Sequence, residues 1–222
     1  MIDTANGTEA LKVGKTRAAR AEKQVTNAAE NDIVLGEAYV AVICVVGVAP
    51  LLFHAWNIES IAGKAASAKG SKAKKSDNVE SYVYRTPEGF LGVPGMNLAA
   101  SLAVAAKSRQ DPRSPRKSLR DLAVASIIPL DVVAPFEPLT ENWDFDDARR
   151  VTVQRAGITR IRPAMREGWT LRFRMLINGA EYFQLPVLSD LVTSAGKFVG
   201  LCDFRPTYGR FQLTSIAVES EA

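Results

Sequence analysis

The 222-residue chain has one histidine, His54, and two cysteines, Cys44 and Cys202. A single imidazole with no paired cysteines excludes the common zinc sites, which need closely spaced His and Cys ligands. Two cysteines cannot build a disulfide scaffold. Both lie in apolar runs that read as strands, so they are expected to be buried free thiols in a reducing compartment. Long hydrophobic runs are also missing. The longest, Ala38 to Phe53, contains Gly47 and Pro50 and is too short to cross a bilayer. The opening MIDTANGTEALKVGKTRAARAEKQ has no apolar core of a secretory signal. These absences point to a cytoplasmic protein without membrane partners. The GKT at Gly14 to Thr16 is not a phosphate-binding loop, because Glu9 stands where the earlier glycine is needed and no strand precedes it. No cofactor or metal is expected.

The chain does have a large apolar fraction, 47%, enough to bury a core. It also has a segregated charge. The net is only +4, yet Lys64 to Arg120 carries +8 and Arg149 to Arg174 carries +7, leaving −11 elsewhere. Two basic stretches of this kind suit a surface facing a polyanion, with nucleic acid as the expected partner. Eight residues of the second stretch, Arg149, Arg150, Arg155, Arg160, Arg162, Arg166, Arg172 and Arg174, are all arginine. The planar guanidinium pairs with phosphate and stacks on bases, and Trp143, Phe145 and Trp169 lie among these residues.

The pattern divides the chain into a polar arm, 1–36, expected to fray, and one domain, 37–222. Residues 38–46 are dense in Val and Ile and read as a strand buried on both faces. Basic insertions are expected at about 57–80, 108–120 and 142–168. SYVYRTPEGFLGVPG reads as a hairpin, followed by a helix with Asn97 as its N-cap. LAVASIIPLDVVAPFEPL reads as one or two short strands. Residues 150–162 read as two strands about Ala156-Gly157, and Trp169 to Ile177 alternates as a half-buried strand. Leu188, Leu191, Val192 and Ala195 have helical spacing, with Gly196 as the C-cap. KFVGL and RFQLTSI read as the last two strands. Two main helices among antiparallel strands indicate an α+β fold of ferredoxin-like, RRM-like type, with a basic, thumb-like β-hairpin inserted.

The candidate nucleic-acid contacts are Lys64, Lys69, Lys72, Lys74 and Lys75 in the first insertion and Arg113, Arg116 and Lys117 in the second. The hairpin adds Arg149, Arg150, Arg155, Arg160, Arg162 and Arg166. AGKFVGLCDFRPTYGRFQL near the C-terminus adds Lys197, Arg205 and Arg210. Its Gly196, Gly200 and Gly209 read either as hinges of a tight turn or as a glycine-rich loop that lets backbone amides approach a ligand. Weaker catalytic candidates are His54 and the carboxylates Asp144, Asp146 and Asp147. Clustered carboxylates bind Mg²⁺ in nucleases, and equally cap helices or form acidic turns.

Several of these segments resemble one family. VGVAPLLFHAW, Val46 to Trp56, resembles the end of the first strand in the RAMP superfamily. These RRM-like proteins include backbone subunits of CRISPR effector complexes and related phage-borne proteins. YRTPEGFLGVPGMNLAASLAVAAK is similar to that group's hairpin and first helix, although Ala99 and Ala100 stand where the family has a basic residue. ITRIRPAMREGWTLRFRM and AGKFVGLCDFRPTYGRF resemble phage-borne relatives, and the latter also the superfamily's glycine-rich loop. The resemblance implies an RRM-like core that binds single-stranded RNA or DNA, forms homo-oligomers or filaments along it, and meets CRISPR-like or phage partners. Three functions are weighed: a non-enzymatic strand-binding protein, a nuclease of the same fold, and a self-assembling or protein-binding module.

Overall fold

The computed structural model describes residues 36–55, 78–153 and 156–219, with side chains described outside 151–158. The lysines 64, 69, 72, 74 and 75, Arg155 and nearly all of the N-terminal arm lie outside the described residues.

β1 (Tyr39–Gly47) and the two-residue β2 (Leu51–Leu52) come first, then β3 (Tyr84–Arg85) and β4 (Leu91–Pro94). Helix α1 (Gly95–Ala105) follows, then β5 (Gln110–Asp111), β6 (Ser114–Ser118) and the short α2 (Arg120–Ser126). β7 (Ile127–Pro129), β8 (Val133–Pro135), β9 (Phe145–Val153), β10 (Ala156–Met165), β11 (Thr170–Ile177), α3 (Leu185–Phe198) and β12 (Phe211–Val218) complete the order.

The central sheet runs β12-β1-β11-β7, antiparallel throughout. α1 lies between the first and second of these strands in the chain, and α3 between the third and fourth. That is the split βαβ–βαβ order of the ferredoxin-like fold. β1 alternates buried and half-buried residues along its whole length. Ala41, Ile43 and Val45 point to the helices, with Leu171, Phe173 and Met175 beside them. Leu98 and Leu102 of α1 and Leu188, Leu191 and Val192 of α3 close the core, all at 0% exposure. Each such side chain contributes about 1.5–3 kcal/mol by leaving water. β1 is thus half-buried on its outer face rather than buried on both.

Smaller sheets flank this layer: β2-β10-β9, β3-β4-β8 and β5-β6. The arginine-rich hairpin is β9–β10, paired from Phe145↔Ala164 to Val153↔Ala156. Its base is part of the fold, since Ala164 and Met165 are buried and pair with Leu52 and Leu51.

Five local expectations are corrected. α1 begins at Gly95, so Asn97 lies within it: Pro94 (φ −56°, ψ 134°) takes the chain directly from β4 into the helix, leaving no linker for Asn97 to cap. The stretch expected as strands after residue 120 starts as α2, with Leu122, Ala123 and Ser126 buried, so the described residues hold three α-helices. Lys197 and Phe198 are the last turn of α3 rather than a strand, and Gly196 is inside that helix. A Cβ there would lie 2.1 Å from Phe211 O, so glycine serves the close approach of α3 to β12. The helix ends instead at Gly200 (φ +82°), whose amide donates to Ala195 O at 2.9 Å. Cys202 accordingly sits in a loop with left-handed backbone (φ 58°), not in a strand. Among the described residues no helix is long and apolar enough to cross a membrane.

Candidate functional site

The outer face of the central sheet carries Val40, Val42, Cys44 and Val46 of β1 beside Arg172, Arg174 and Leu176 of β11. RRM domains stack bases on aromatic side chains at this face. Here Tyr39, Phe173 and Phe211 all turn to the core, and no aromatic among the described residues stands on the open side. Arg174 is moreover held by Glu219, Nε to Oε1 at 2.9 Å and Nη2 to Oε2 at 2.8 Å, which holds the Glu219 carboxyl below its ordinary range. The sheet is therefore no base-stacking platform.

Aromatic and basic groups meet elsewhere, where the β9–β10 hairpin faces the 200–210 loop. That loop is closed at its base: Leu201 N donates to Gly209 O at 2.9 Å, and a Cβ on Gly209 (φ +68°) would lie 2.0 Å from Leu201 O. It is also tied to the β1–β2 connection, with Gly209 N donating to Pro50 O at 2.8 Å, and to β2, with Asp203 N donating to Leu52 O at 3.1 Å. These tethers hold Cys202 and Phe204 (φ 53°) in a conformation that bulky residues rarely adopt.

Cross-strand partners share a face, so Arg149 and Arg160 stand together, as do Asp147 and Arg162. This face turns toward the loop. Arg149 lies over the Tyr208 ring at 4.3 Å and the Phe204 ring at 5.6 Å, while its Nη2 donates to Asp147 Oδ2 at 3.0 Å. Arg162, 6% exposed, donates from Nε to Asp203 Oδ2 at 3.2 Å and lies over Tyr82 at 4.5 Å. His54 Nδ1 is 3.3 Å from the same carboxylate oxygen, and the imidazole meets Tyr82 edge-on at 5.6 Å. Tyr84 donates its hydroxyl to His54 O at 3.2 Å, and burial, with Cys202 and Asp203 nearby, pushes its pKa up to about 12. Cys202 is half-buried as a residue, yet burial of its thiol pushes the pKa up to about 12. Arg205 and Arg210 stand exposed at the loop's outer side, Arg210 donating from Nε to Pro206 O at 2.8 Å. Arg210 and Lys197 also flank a groove of about 530 Å³ between α3 and β12, lined in part by Thr193 and Gln212.

The remaining sequence candidates are dispersed. Arg150 is exposed on the opposite hairpin face. Arg166 packs over Phe145 at 5.4 Å. Arg116 and Lys117 are exposed on β6, while Arg113 is committed to the buried Asp111, Nη2 to Oδ2 at 2.8 Å. The three carboxylates each have a local partner: Asp144 accepts from Arg166 N at 2.6 Å, Asp146 from Trp143 Nε1 at 2.8 Å, and Asp147 from Arg149. Among the described residues no group of three His, Cys, Asp or Glu is placed to hold a metal ion.

No protein-family model matches the chain, and no curated protein matches it in sequence. Among similar solved structures is a chain in the cryo-EM structure of the type III-B Cmr-beta bound to cognate target RNA, at 10% identity and a TM-score of 0.49. The match covers 82% of this chain and 61% of that one, so this protein spans less than two thirds of that chain's length.

The sequence missed Tyr82, Tyr84, Asp203, Phe204 and Tyr208 as members of the site. The aromatics inside the C-terminal glycine-rich stretch were a visible signal for two of them. Nothing local marks Tyr82, which lies on the short turn before β3 and meets Arg162 of β10 at 4.5 Å, 80 residues away in the chain.

Proposed function

We propose that the protein binds single-stranded RNA or DNA where the face of the β9–β10 hairpin meets the 200–210 loop. The observation that carries this reading is Arg149 stacked over Tyr208 at 4.3 Å, which joins two stretches far apart in sequence into one basic, aromatic surface. Arg149, Arg160, Arg162, Arg205 and Arg210 stand there against Asp147 and Asp203. Cations to hold phosphates beside rings for stacking make the combination that a sequence-tolerant single-strand site needs. Lys197 and its groove extend the surface along β12. The fold and the resemblance to RAMP proteins support a role in which copies line up along a strand in the cytoplasm. Titration of a labelled single-stranded oligonucleotide at low salt tests the reading. Binding that falls about tenfold or more in Arg205→Ala/Arg210→Ala, with the melting temperature unchanged, is expected. No binding at low salt overturns it.

The His54–Asp203 pair within this surface favours a second reading, a nuclease. Incubating labelled RNA and DNA with the protein, with and without Mg²⁺, separates the two. A shifted but uncut substrate rejects the nuclease.

A further inference from the structure

Among the described residues β12 pairs with β1 alone, so it is an edge of the central sheet. An open edge offers unpaired N–H and C=O groups, and proteins blunt such edges with charge, proline or brevity. Other edges here follow that rule. β7 has three residues and closes on Pro129, and β9 carries Asp146, Asp147, Arg149 and Arg150. β12 runs for eight residues, FQLTSIAV, with no charge and no proline. Its Leu213, Ile216 and Val218 lie on the core-facing side, beside Val45, Ile43 and Ala41, yet are only half-buried.

The backbone shows which groups are open. Glu219 N donates to Val40 O at 2.8 Å, and Arg210 O accepts from Val48 N at 2.9 Å. Successive residues alternate inward from these two ends, so Leu213, Ile216 and Val218 turn their backbone groups away from β1. Thr214 is the extra residue of a bulge, skipped between Leu213↔Val45 and Ser215↔Cys44. The bulge makes the strand read alike in both directions. Phe211, Leu213, Ile216 and Val218 are apolar on the core face, set evenly about a centre between Thr214 and Ser215. Phe211 O already meets α3, since a Cβ on Gly196 would lie 2.1 Å from it. The free edge is therefore Leu213 to Val218. Beside its start lies the groove of about 530 Å³ lined by Lys197 and Arg210, while Glu219 follows its other end.

We infer that β12 pairs antiparallel with β12 of a second copy of this chain, continuing one sheet across both. Leu213 of each copy exchanges backbone hydrogen bonds with the partner's Ile216, and the partner's Val218 and Glu219 enter the groove. An open edge calls for an extended backbone, and the palindromic pattern selects this one. The register centred at Thr214–Ser215 sets apolar on apolar along the core face, whereas sliding by two residues would set Ile216 against Ser215. Charge agrees with it. The antiparallel pair brings the partner's Glu219 to Lys197 and Arg210, while a parallel pair would set Arg210 on Arg210. Arg174 takes one bond from each Glu219 oxygen, and a carboxylate has about four acceptor positions, so Glu219 can serve both. The contact uses the same surface on both copies and closes at two, so it is separate from any alignment of copies along a strand. A bound strand would compete for the groove, so the test omits nucleic acid.

Sedimentation velocity of the full chain over rising concentration tests it. The wild type should pass from one copy to two and stop there. Ser215 is exposed and would stand next to the two-fold axis, diagonal to the partner's Ser215. Ser215→Lys and Ser215→Glu should each pair several-fold more weakly through like charge, with the melting temperature unchanged. Mixing the two variants should restore pairing, because each then meets the opposite charge. Hydrogen exchange at the Leu213 and Ile216 amides should slow as the wild-type concentration rises. A wild type that stays monomeric, or that grows past two copies, overturns the inference. So does undiminished pairing by both variants, no recovery on mixing, or exchange at these amides that ignores concentration.

Discussion

Arg162 and Arg149 lie two registers apart on one hairpin face, yet their surroundings give them different duties. Arg162 is 6% exposed and spends its charge on Asp203 and the Tyr82 ring. Removing it leaves Asp203 short of its cation in a half-buried place, so Arg162→Ala should cost about 1–3 kcal/mol in urea unfolding. Arg149 shows 36% of its side chain above Tyr208. Arg149→Ala removes this contact and also the partner of Asp147, whose side chain is 14% exposed, so it too should cost about 1–3 kcal/mol, and in addition it should weaken strand binding several-fold. Cys202 offers a chemical check. Its thiol, with a pKa near 12, stays protonated at pH 8 and should react with a thiol reagent far more slowly in the folded protein than in urea. Mass spectrometry of the labelled peptides reads this directly.

The 200–210 loop and the β5–β6 hairpin are held by different means, and each fails in its own way. Gly209 has a left-handed backbone with a carbonyl 2.0 Å from where a Cβ would stand. Gly209→Ala should therefore open the base of the loop, lower the melting temperature by several degrees and reduce strand binding together. The β5–β6 hairpin instead turns about Asp111, whose carboxyl is held at about 2 by its hydrogen bonds to Arg113. A carboxylate lowered on folding stabilises the fold above the ordinary carboxyl pKa, and loses that contribution as pH falls toward about 2. Acid titration followed by circular dichroism should show Asp111→Asn flattened over that interval relative to wild type.

The charge of the whole molecule sets how binding responds to salt. The net is +4 with a pI near 9.1, and the arginines of the proposed surface come from both sequence stretches that the fold joins. Each phosphate neutralised on a single strand contributes about −0.7 to the slope of log K against log salt. A surface with five arginines and two carboxylates should therefore give a slope of about −2 to −3. A flat salt dependence would place recognition on stacking alone.

The ferredoxin-like order, the long alternating strands and the amphipathic α3 were legible in the sequence, because hydrophobic periodicity is a local property and the core needed it. The basic stretch that holds the hairpin was legible too, since eight arginines with a single glutamate between residues 149 and 174 stand out in any order. The starts and ends of α1 and α3 were not. Pro94 leads directly into α1, and Gly196 serves the approach of β12 while Gly200 ends the helix, facts that depend on neighbours distant in the chain. Tertiary structure alone decided which arginines act outward. It buried Arg162 beneath Tyr82, paired Arg113 with Asp111, closed Arg174 on Glu219, laid Arg149 over Tyr208 while pairing it with Asp147, and left Arg205 and Arg210 exposed. The physical reason is that composition counts charges, whereas only packing determines which of them are already neutralised by a carboxylate within 3.5 Å.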